Sequence, residues 1–183
     1  MGEAIPPWAT EKPEVRPHDA GLVARAESER ARLATLLEPW LIDGVEHVGS
    51  TAVPGLAAKP IIDLMASVDD PDTVVAQAGE RLAADGWCYV RAELDERPWR
   101  RFFIKPDASG RRRIAHLHVI KAGNPRWSQQ IAFRDALRHD DELARQYGDL
   151  KQQLAARHAD DREAYGRAKT KFIMDTLGRL SAS

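Results

Sequence analysis

The spacing of apolar residues predicts a helix near the start of the chain. From Asp19, apolar side chains recur every three or four positions, as in an amphipathic helix. The positions are Leu22, Ala26, Leu33, Leu36, Leu37, Trp40 and Leu41. Asp19 is a candidate N-cap, and Pro39 lies near the far end. Residues 1–17 contain four prolines, which predicts an irregular N-terminal arm.

Short apolar runs predict strands in the middle of the chain, at residues 44–48, 60–68, 87–94, 99–105 and 113–121. A helix is expected from Pro71 to about Ala84, and residues 106–110 have the composition of a hairpin turn. From Trp127 onward the chain reads as helical, with candidate breaks at residues 140–141 and 160–161. The order predicts one α+β (α/β-like) domain over residues 18–183, with a mixed sheet flanked by helices and a helical C-terminal segment.

Charge and composition restrict the classes of partner. Lys and Arg total 27 and Asp and Glu total 28, so the net charge is −1, and we expect neither nucleic acid nor membrane as a partner. No apolar segment suits a membrane span or a signal peptide, which predicts a cytoplasmic protein. Cys88 is the one cysteine, and its apolar surroundings predict a buried, inert thiol.

A polar loop interrupts the apolar pattern within EHVGSTAVPGLAAKPIIDL, residues 46–64. Gly49 follows a predicted strand, and a glycine there allows the backbone to approach a ligand closely. Ser50 and Thr51 add hydroxyl groups, and Lys59 adds a cation. Turn N–H groups with such side chains can bind phosphate oxygens, so the loop is a candidate site for a small anionic ligand. The alternative is a tight turn between two buried strands.

Asp63 lies inside an apolar strand, where a carboxylate is costly unless it is paired or bound to metal. It therefore faces a polar cleft, has a dedicated partner, or caps nearby backbone amides. His116 and His118 share one face of a predicted strand. With Asp63 they would suit zinc or another transition metal, although acid–base work, phosphate contact or local hydrogen bonding are alternatives. His47 precedes Gly49 and either reaches the same cleft or is an ordinary half-buried histidine.

Residues 97–113 form a basic segment with seven Lys or Arg residues and one acid. Arg101 and Lys105 share a strand face with Phe103, and they are the candidates for contacting an anion. Arg111, next to the hairpin tip, is expected to be solvated. Further along the chain, Lys169 either points into the cleft or lies on a helix surface.

The loop and several later segments resemble the GrpB family, whose members have the nucleotidyltransferase fold. The family signature is close to HxGSTAVPGLxAKPxIDI, which residues 47–64 match. Later segments that look like family blocks are HLHV at 116–119, FRDALR at 133–138, YGDLK at 147–151 and DREAY at 161–165, followed by Lys169. The resemblance extends over about residues 20–178.

The resemblance implies nucleotide chemistry around Asp63. In the superfamily, a Gly-Ser pair positions a nucleotide phosphate, and an Asp-x-Asp or Asp-x-Glu strand binds two divalent metals such as Mg²⁺ or Mn²⁺. Asp63 occupies the first acidic position, whereas the second is Met65, whose thioether is a poor ligand for Mg²⁺.

Three functions are therefore open. The first is metal-dependent transfer of a nucleotidyl or phosphoryl group to a small acceptor, with Asp63, His116 and His118 as catalytic residues and the metal on Asp63 and His118. The second is a nucleotide- or anion-binding protein without catalysis, which Met65 favours. The third is a metal-dependent enzyme of another class that uses the histidines and Asp63.

Overall fold

The first long helix, α1 (Ala20–Leu36), begins where the sequence predicts. The protein is represented by a computed structural model, which describes residues 6–10, 16–157 and 162–181. Asp19 caps α1, because its carboxylate accepts a hydrogen bond of 2.8 Å from the N–H of Gly21. Leu22, Ala26 and Leu33 are buried, so the apolar periodicity forms the face that packs on the sheet.

Five strands form one mixed sheet in the order β1-β2-β5-β4-β3. The strands are β1 (Leu41–Val48), β2 (Ile62–Val68), β3 (Cys88–Val90), β4 (Arg100–Pro106) and β5 (Arg113–Lys121). β2 and β5 are parallel, and the other neighbours are antiparallel. The α+β class is confirmed. β3 is shorter than the run predicted at 87–94, which ends instead in a single helical turn, α3 (Ala92–Asp95).

Helices cover the sheet and the polar loop. α2 (Pro71–Ala84) matches its predicted bounds, and α1 and α2 pack on one face of the sheet. The C-terminal helices are α4 (Pro125–His139), α5 (Asp141–Arg157) and α6 (Arg162–Ser181). The predicted break at residues 140–141 is confirmed, and the one at 160–161 lies outside the described residues. Val53 and Leu56 of the loop are buried against Phe133, Leu137 and Tyr147.

The alternation of side chains along β2 and β5 separates the core from the polar site. Leu64 and Leu117 point into the core under α1 and α2 and are fully buried. Asp63 and His116 are register partners on the opposite face, and so are Met65 and His118. A polar cluster therefore forms on the face that α1 and α2 do not cover.

The predicted arm, residues 1–17, is described only in part. Residues 7–10 form a short 3₁₀ turn. Arg16 exchanges two backbone hydrogen bonds with Ala58, at 2.8 and 2.9 Å, and so attaches the end of the arm to the polar loop. Among the described residues, no helix combines the length and the apolar character that crossing a membrane requires.

The prediction that Cys88 is buried is wrong, since its side chain is exposed. β3 has only three residues and is hydrogen-bonded to β4 alone, at the edge of the sheet. Trp87 packs in the core under α1 and α2, whereas Cys88 pairs with Ile104 on the opposite face, which these helices do not cover at the edge of the sheet.

Candidate functional site

Asp63 and His116 form the centre of the polar cluster. The Nδ1 atom of His116 lies 3.0 Å from Oδ1 of Asp63, and Nε2 of His118 lies 3.6 Å from the same oxygen. Burial by itself raises the pKa of Asp63, but the contacts with the two histidines outweigh it and hold this pKa below its usual range. Asp63 is therefore a carboxylate that accepts hydrogen bonds at neutral pH.

The hydrogen bond to Asp63 fixes the tautomer of His116. Since an ionised carboxylate can only accept, Nδ1 of His116 carries the proton and Nε2 of the neutral ring carries a lone pair. This Nε2 atom is buried and has no hydrogen-bond partner among the described residues. In the neutral form, His116 therefore has an unpaired acceptor next to Asp63.

His118 has the opposite tautomer because of Arg100. An Nη1 group of Arg100 contacts Nδ1 of His118, and a guanidinium can only donate, so the proton of neutral His118 is on Nε2, facing Asp63. Burial, together with the charge of Arg100, lowers the pKa of His118 to about 4. Arg100 is itself held by Asp95 through two hydrogen bonds, of 2.8 and 2.5 Å.

Gly49 brings the polar loop against Asp63. Its φ angle is +74°, and a Cβ atom there would lie 2.7 Å from Oδ2 of Asp63. Any side chain at residue 49 would therefore displace the carboxylate, besides adopting a backbone conformation that only glycine tolerates well. Glycine is therefore required at position 49 for close packing of the loop on Asp63.

Side chains from several elements hold the loop. Nε2 of His47 lies 3.0 Å from the hydroxyl of Thr51, which in turn donates to the carbonyl of Ile61 at 3.4 Å. Burial lowers the pKa of His47 to about 4, so this histidine is neutral at pH 7. From α4, Arg138 donates to the carbonyl of Ala52 at 2.8 Å. The loop is therefore anchored at both ends and in its middle.

The loop and the C-terminal helices line an open cavity of about 120 Å³. We call it the lysine cavity, and its lining residues are Ser50, Thr51, Ala58, Lys59, Ile61, Asp63, His116, Lys151 and Lys169. Three lysines thus lie around one carboxylate, and the Nε2 atom of the histidine beside it has no hydrogen-bond partner among the described residues. The excess of positive charge, with the hydroxyl of Ser50, suits an anionic ligand.

Lys151 is the most buried cation of this cavity, with 4% of its surface exposed. Its ammonium group donates to the hydroxyl of Ser50 at 3.0 Å and to the carbonyl of Ala57 at 2.6 Å. Burial, with the neighbouring charge of Lys169, lowers the pKa of Lys151 to about 8. Lys151 therefore remains largely protonated at neutral pH. The two groups that accept its hydrogen bonds are neutral and do not balance its positive charge.

The structure brings together most of the residues that the sequence predicted for the site. Gly49, Ser50, Thr51, Lys59 and Lys169 lie in the lysine cavity or in contact with Asp63. His47 is in register with Leu64 on the other face of the sheet and reaches the loop only through Thr51.

Arg101 and Lys105 lie elsewhere, on the face that packs against α1 and α2. Arg101 donates to both carboxylate oxygens of Asp72, at 2.5 and 2.8 Å. Lys105 is bonded to Glu29 at 2.9 Å and to Asp85 at 3.1 Å. Neither side chain belongs to the cluster around Asp63.

Sequence reasoning assigned no role to Lys151, Arg100 or Arg138. Lys151 and Arg138 could have been found from the sequence, because they belong to the YGDLK and FRDALR segments that look like family blocks. Arg100 was counted only as part of a basic segment. Its neighbour Phe102 is in register with His118, so the hairpin pairing was the information needed to place Arg100 beside that histidine.

The residues present do not fit a two-metal site for Mg²⁺. Asp63 is the only carboxylate among the described residues of the cavity, and Met65 is buried against Val48 and Ile120. Asp63, His116 and His118 each offer a ligand atom within 4.8 Å of the others, a donor set of the kind that zinc or another transition metal takes. The contact of Arg100 with His118 opposes this use, because metal-bound histidines donate their other N–H to an acceptor.

The sheet order and the cluster define a protein of the nucleotidyltransferase fold with a cationic cavity beside its carboxylate. Solved structures of Cid1 poly(U) polymerase share this fold, with a TM-score of 0.57 at 15% identity over 84% of this chain and 49% of that one. The chain belongs to the GrpB family, whose model, described as GrpB protein, matches residues 12–179. A GrpB crystal structure from Enterococcus faecalis has a TM-score of 0.71 at 29% identity, covering 90% of this chain and 99% of that one.

Curated relatives agree with this assignment. UPF0157 protein PA4798 of Pseudomonas aeruginosa is 40% identical over 162 residues, which are 86% of this chain and 62% of the relative. UPF0157 protein YqkA of Bacillus subtilis is 36% identical over 147 residues, which are 80% of this chain and 41% of the relative. The chain thus spans about half the length of these two proteins.

The contact between Gly49 and Asp63 predicts that Gly49→Ala damages the site specifically. Gly55→Ala is the matched control, because Gly55 also has a positive φ, of +75°, but nothing lies within 4 Å of its added Cβ. We expect both variants to lose about 1–3 kcal/mol of unfolding free energy in urea titrations. Only Gly49→Ala should also shift the ring resonances of His116 and His118 in NMR spectra. Equal histidine spectra in the two variants would contradict this role.

Proposed function

We propose that the lysine cavity binds the phosphate groups of a nucleotide or of a similar phosphorylated small molecule. The observation that carries the proposal is the convergence of Lys59, Lys151 and Lys169 with the hydroxyl of Ser50 beside Asp63. Lysine ammonium groups and hydroxyls are donors that phosphate oxygens accept. An anion in the cavity would compensate the buried charge of Lys151, which costs folding free energy in its absence.

The chemistry that fits beside this cavity is nucleotidyl or phosphoryl transfer to a small acceptor. His116 would take the proton of the acceptor hydroxyl at Nε2, whose lone pair is unpaired among the described residues, and Asp63 would hold the ring through Nδ1. The acceptor oxygen would then bond to phosphorus as pyrophosphate or a nucleoside diphosphate leaves. The solved Cid1 structures, which share the fold, are described with MgGTP, Mg 3′-dATP and a UTP analogue bound. The buried Met65 favours the alternative of a nucleotide-binding protein without turnover.

A second candidate is a metal-dependent enzyme of another class. It is favoured by the carboxylate and two imidazoles of Asp63, His116 and His118, which lie within reach of one ion. It predicts about one Co²⁺ per chain in equilibrium dialysis, with loss of binding in His116→Asn. If less than about one Co²⁺ is bound per chain, or if the His116→Asn variant binds Co²⁺ equally well, this candidate is contradicted.

Nucleotide binding is tested by thermal shift with ATP, GTP, CTP and UTP, each with and without Mg²⁺ or Mn²⁺. A ligand that binds only the folded state raises the melting temperature by mass action. We expect Lys169→Gln to weaken the affinity about tenfold, since one charge-assisted contact is lost. Lys171→Gln is the matched control, because Lys171 is two residues away on α6, 79% exposed and paired only with Asp175 at 2.7 Å among described residues. No shift with any nucleotide, or equal loss in both variants, would contradict the proposal.

Asp63→Asn reports whether a metal bridges the carboxylate to the ligand. Asparagine retains an oxygen that can accept from Nδ1 of His116, so we expect the fold to persist. Without a bridging metal, removal of the negative charge should strengthen nucleotide binding in the same thermal-shift assay. With a bridging metal, binding should weaken and lose its dependence on Mg²⁺ or Mn²⁺. An affinity unchanged under both conditions would show that the phosphates do not lie near Asp63.

The affinity should also depend on pH through Lys151, whose pKa is lowered to about 8 by burial and by Lys169. Protonated Lys151 binds the anion, so affinity should be constant below that value and fall above it, by at most about tenfold per pH unit. ATP titrations between about pH 7.5 and pH 9.5 test this, because the terminal phosphate, with a pKa of about 6, is almost fully ionised over that range. In Lys151→Gln the decline should disappear. The same decline in the variant would assign it to another group.

A further inference from the structure

A second group of cations lies on the other side of His118 from the lysine cavity. Nε2 of His118 faces Asp63, whereas its Nδ1 faces Arg100. The indole ring of Trp99 is parallel to the ring of His118, at 7° and a centroid distance of 6.2 Å. The guanidinium carbon of Arg126 lies 4.4 Å above the Trp99 ring. We call Arg97, Arg100 and Arg126 the arginine cluster.

The positive charge of the arginine cluster is only partly compensated. Asp95 uses both oxygens for Arg100, at 2.8 and 2.5 Å, and lies 3.5 Å from Arg97. Arg126 pairs with no carboxylate within the part of the chain that the structure describes. Burial, with the charges of Arg97 and Arg100, lowers the pKa of Arg126. Three guanidinium groups thus share one carboxylate, which leaves a field that favours an anion.

Stacking on Trp99 keeps Arg126 in place while leaving its N–H groups at the surface. Trp99 is partly buried and packs on Val48, Met65 and Ile120, so it is a fixed platform. Arg126 is exposed, and the N–H groups of its planar guanidinium can donate to two oxygens of a phosphate or carboxylate. A preorganised guanidinium loses less conformational entropy when it binds an anion.

The backbone of the preceding segment supports this placement. Glu96 has a φ of +55° and is the only non-glycine residue with positive φ among the described residues. It turns the chain between Asp95, which points at Arg100, and Arg97, which is 58% exposed. This left-handed conformation ends α3, of which Glu96 is the C-cap.

We propose that Arg126, together with Arg97, forms a second anion site, which receives a phosphate or carboxylate group of the second reactant. The inference rests on the proposed function, in which the lysine cavity holds the phosphates of the first reactant. Asp63, His116 and His118 then lie between two anion sites. The substrate class that fits is a small acceptor that itself carries a phosphate or a carboxylate.

The site is tested by NMR on the indole N–H of Trp99, with pyrophosphate and citrate as separate probes at constant ionic strength. The chain has five tryptophans, and Trp99→Phe identifies the resonance. We expect the Trp99 resonance to shift and saturate. Arg126→Gln should raise the concentration at half saturation about tenfold, whereas Arg112→Gln, an exposed arginine of the hairpin, should not change it. A larger response to pyrophosphate assigns a phosphorylated acceptor, and a larger response to citrate assigns a carboxylate.

The controls separate this inference from the proposed function. Lys169→Gln weakens the lysine cavity and should leave the Trp99 titration unchanged. The remaining indole resonances report whether each variant is folded. A Trp99 resonance that does not respond to either probe, or that responds equally in Arg126→Gln and Arg112→Gln, would overturn the second anion site. Such a result would leave nucleotide binding at the lysine cavity intact.

Discussion

The site depends on the packing of Gly49 against the carboxylate of Asp63. Because nothing larger than hydrogen fits between the loop and this carboxylate, the loop and strand β2 have one relative position. The bonds from His47, Arg138 and Lys151 then fix the remainder of the loop. The lysine cavity and the orientation of Ser50 follow from that position.

Compensation of charge explains why the cluster is a candidate for ligand binding rather than a structural ion-pair network. Arg101, Lys105 and Arg100 each have a bonded carboxylate, as expected for cations that stabilise a fold. Lys151 is instead buried on neutral acceptors, with a second lysine nearby and its pKa lowered by burial. A folded protein retains such an arrangement at a cost in stability, which the anionic ligand that we propose would offset.

Much of the fold and the centre of the site could be predicted from the sequence, because they depend on local patterns. The loop, Asp63 and the histidine pair are visible as polar residues in apolar strands. Lys151 and Arg126 could not be assigned, since their positions depend on how α4 and α5 pack over the sheet. The sequence correctly placed Arg101 and Lys105 on the same strand face as Phe103. It did not show that this face packs on α1 and α2, away from Asp63. Cys88 was misjudged because local apolarity does not reveal an edge strand.

The most direct test of the account is a crystal structure of the protein with a non-hydrolysable nucleoside triphosphate. The account predicts phosphate oxygens within about 3 Å of the ammonium groups of Lys151 and Lys169. The loop around Ser50 should keep its present conformation, since it is already anchored to β1, α4 and α5. A nucleotide whose phosphates bind outside the lysine cavity, with Lys151 still bonded only to Ser50 and Ala57, would contradict the central claim.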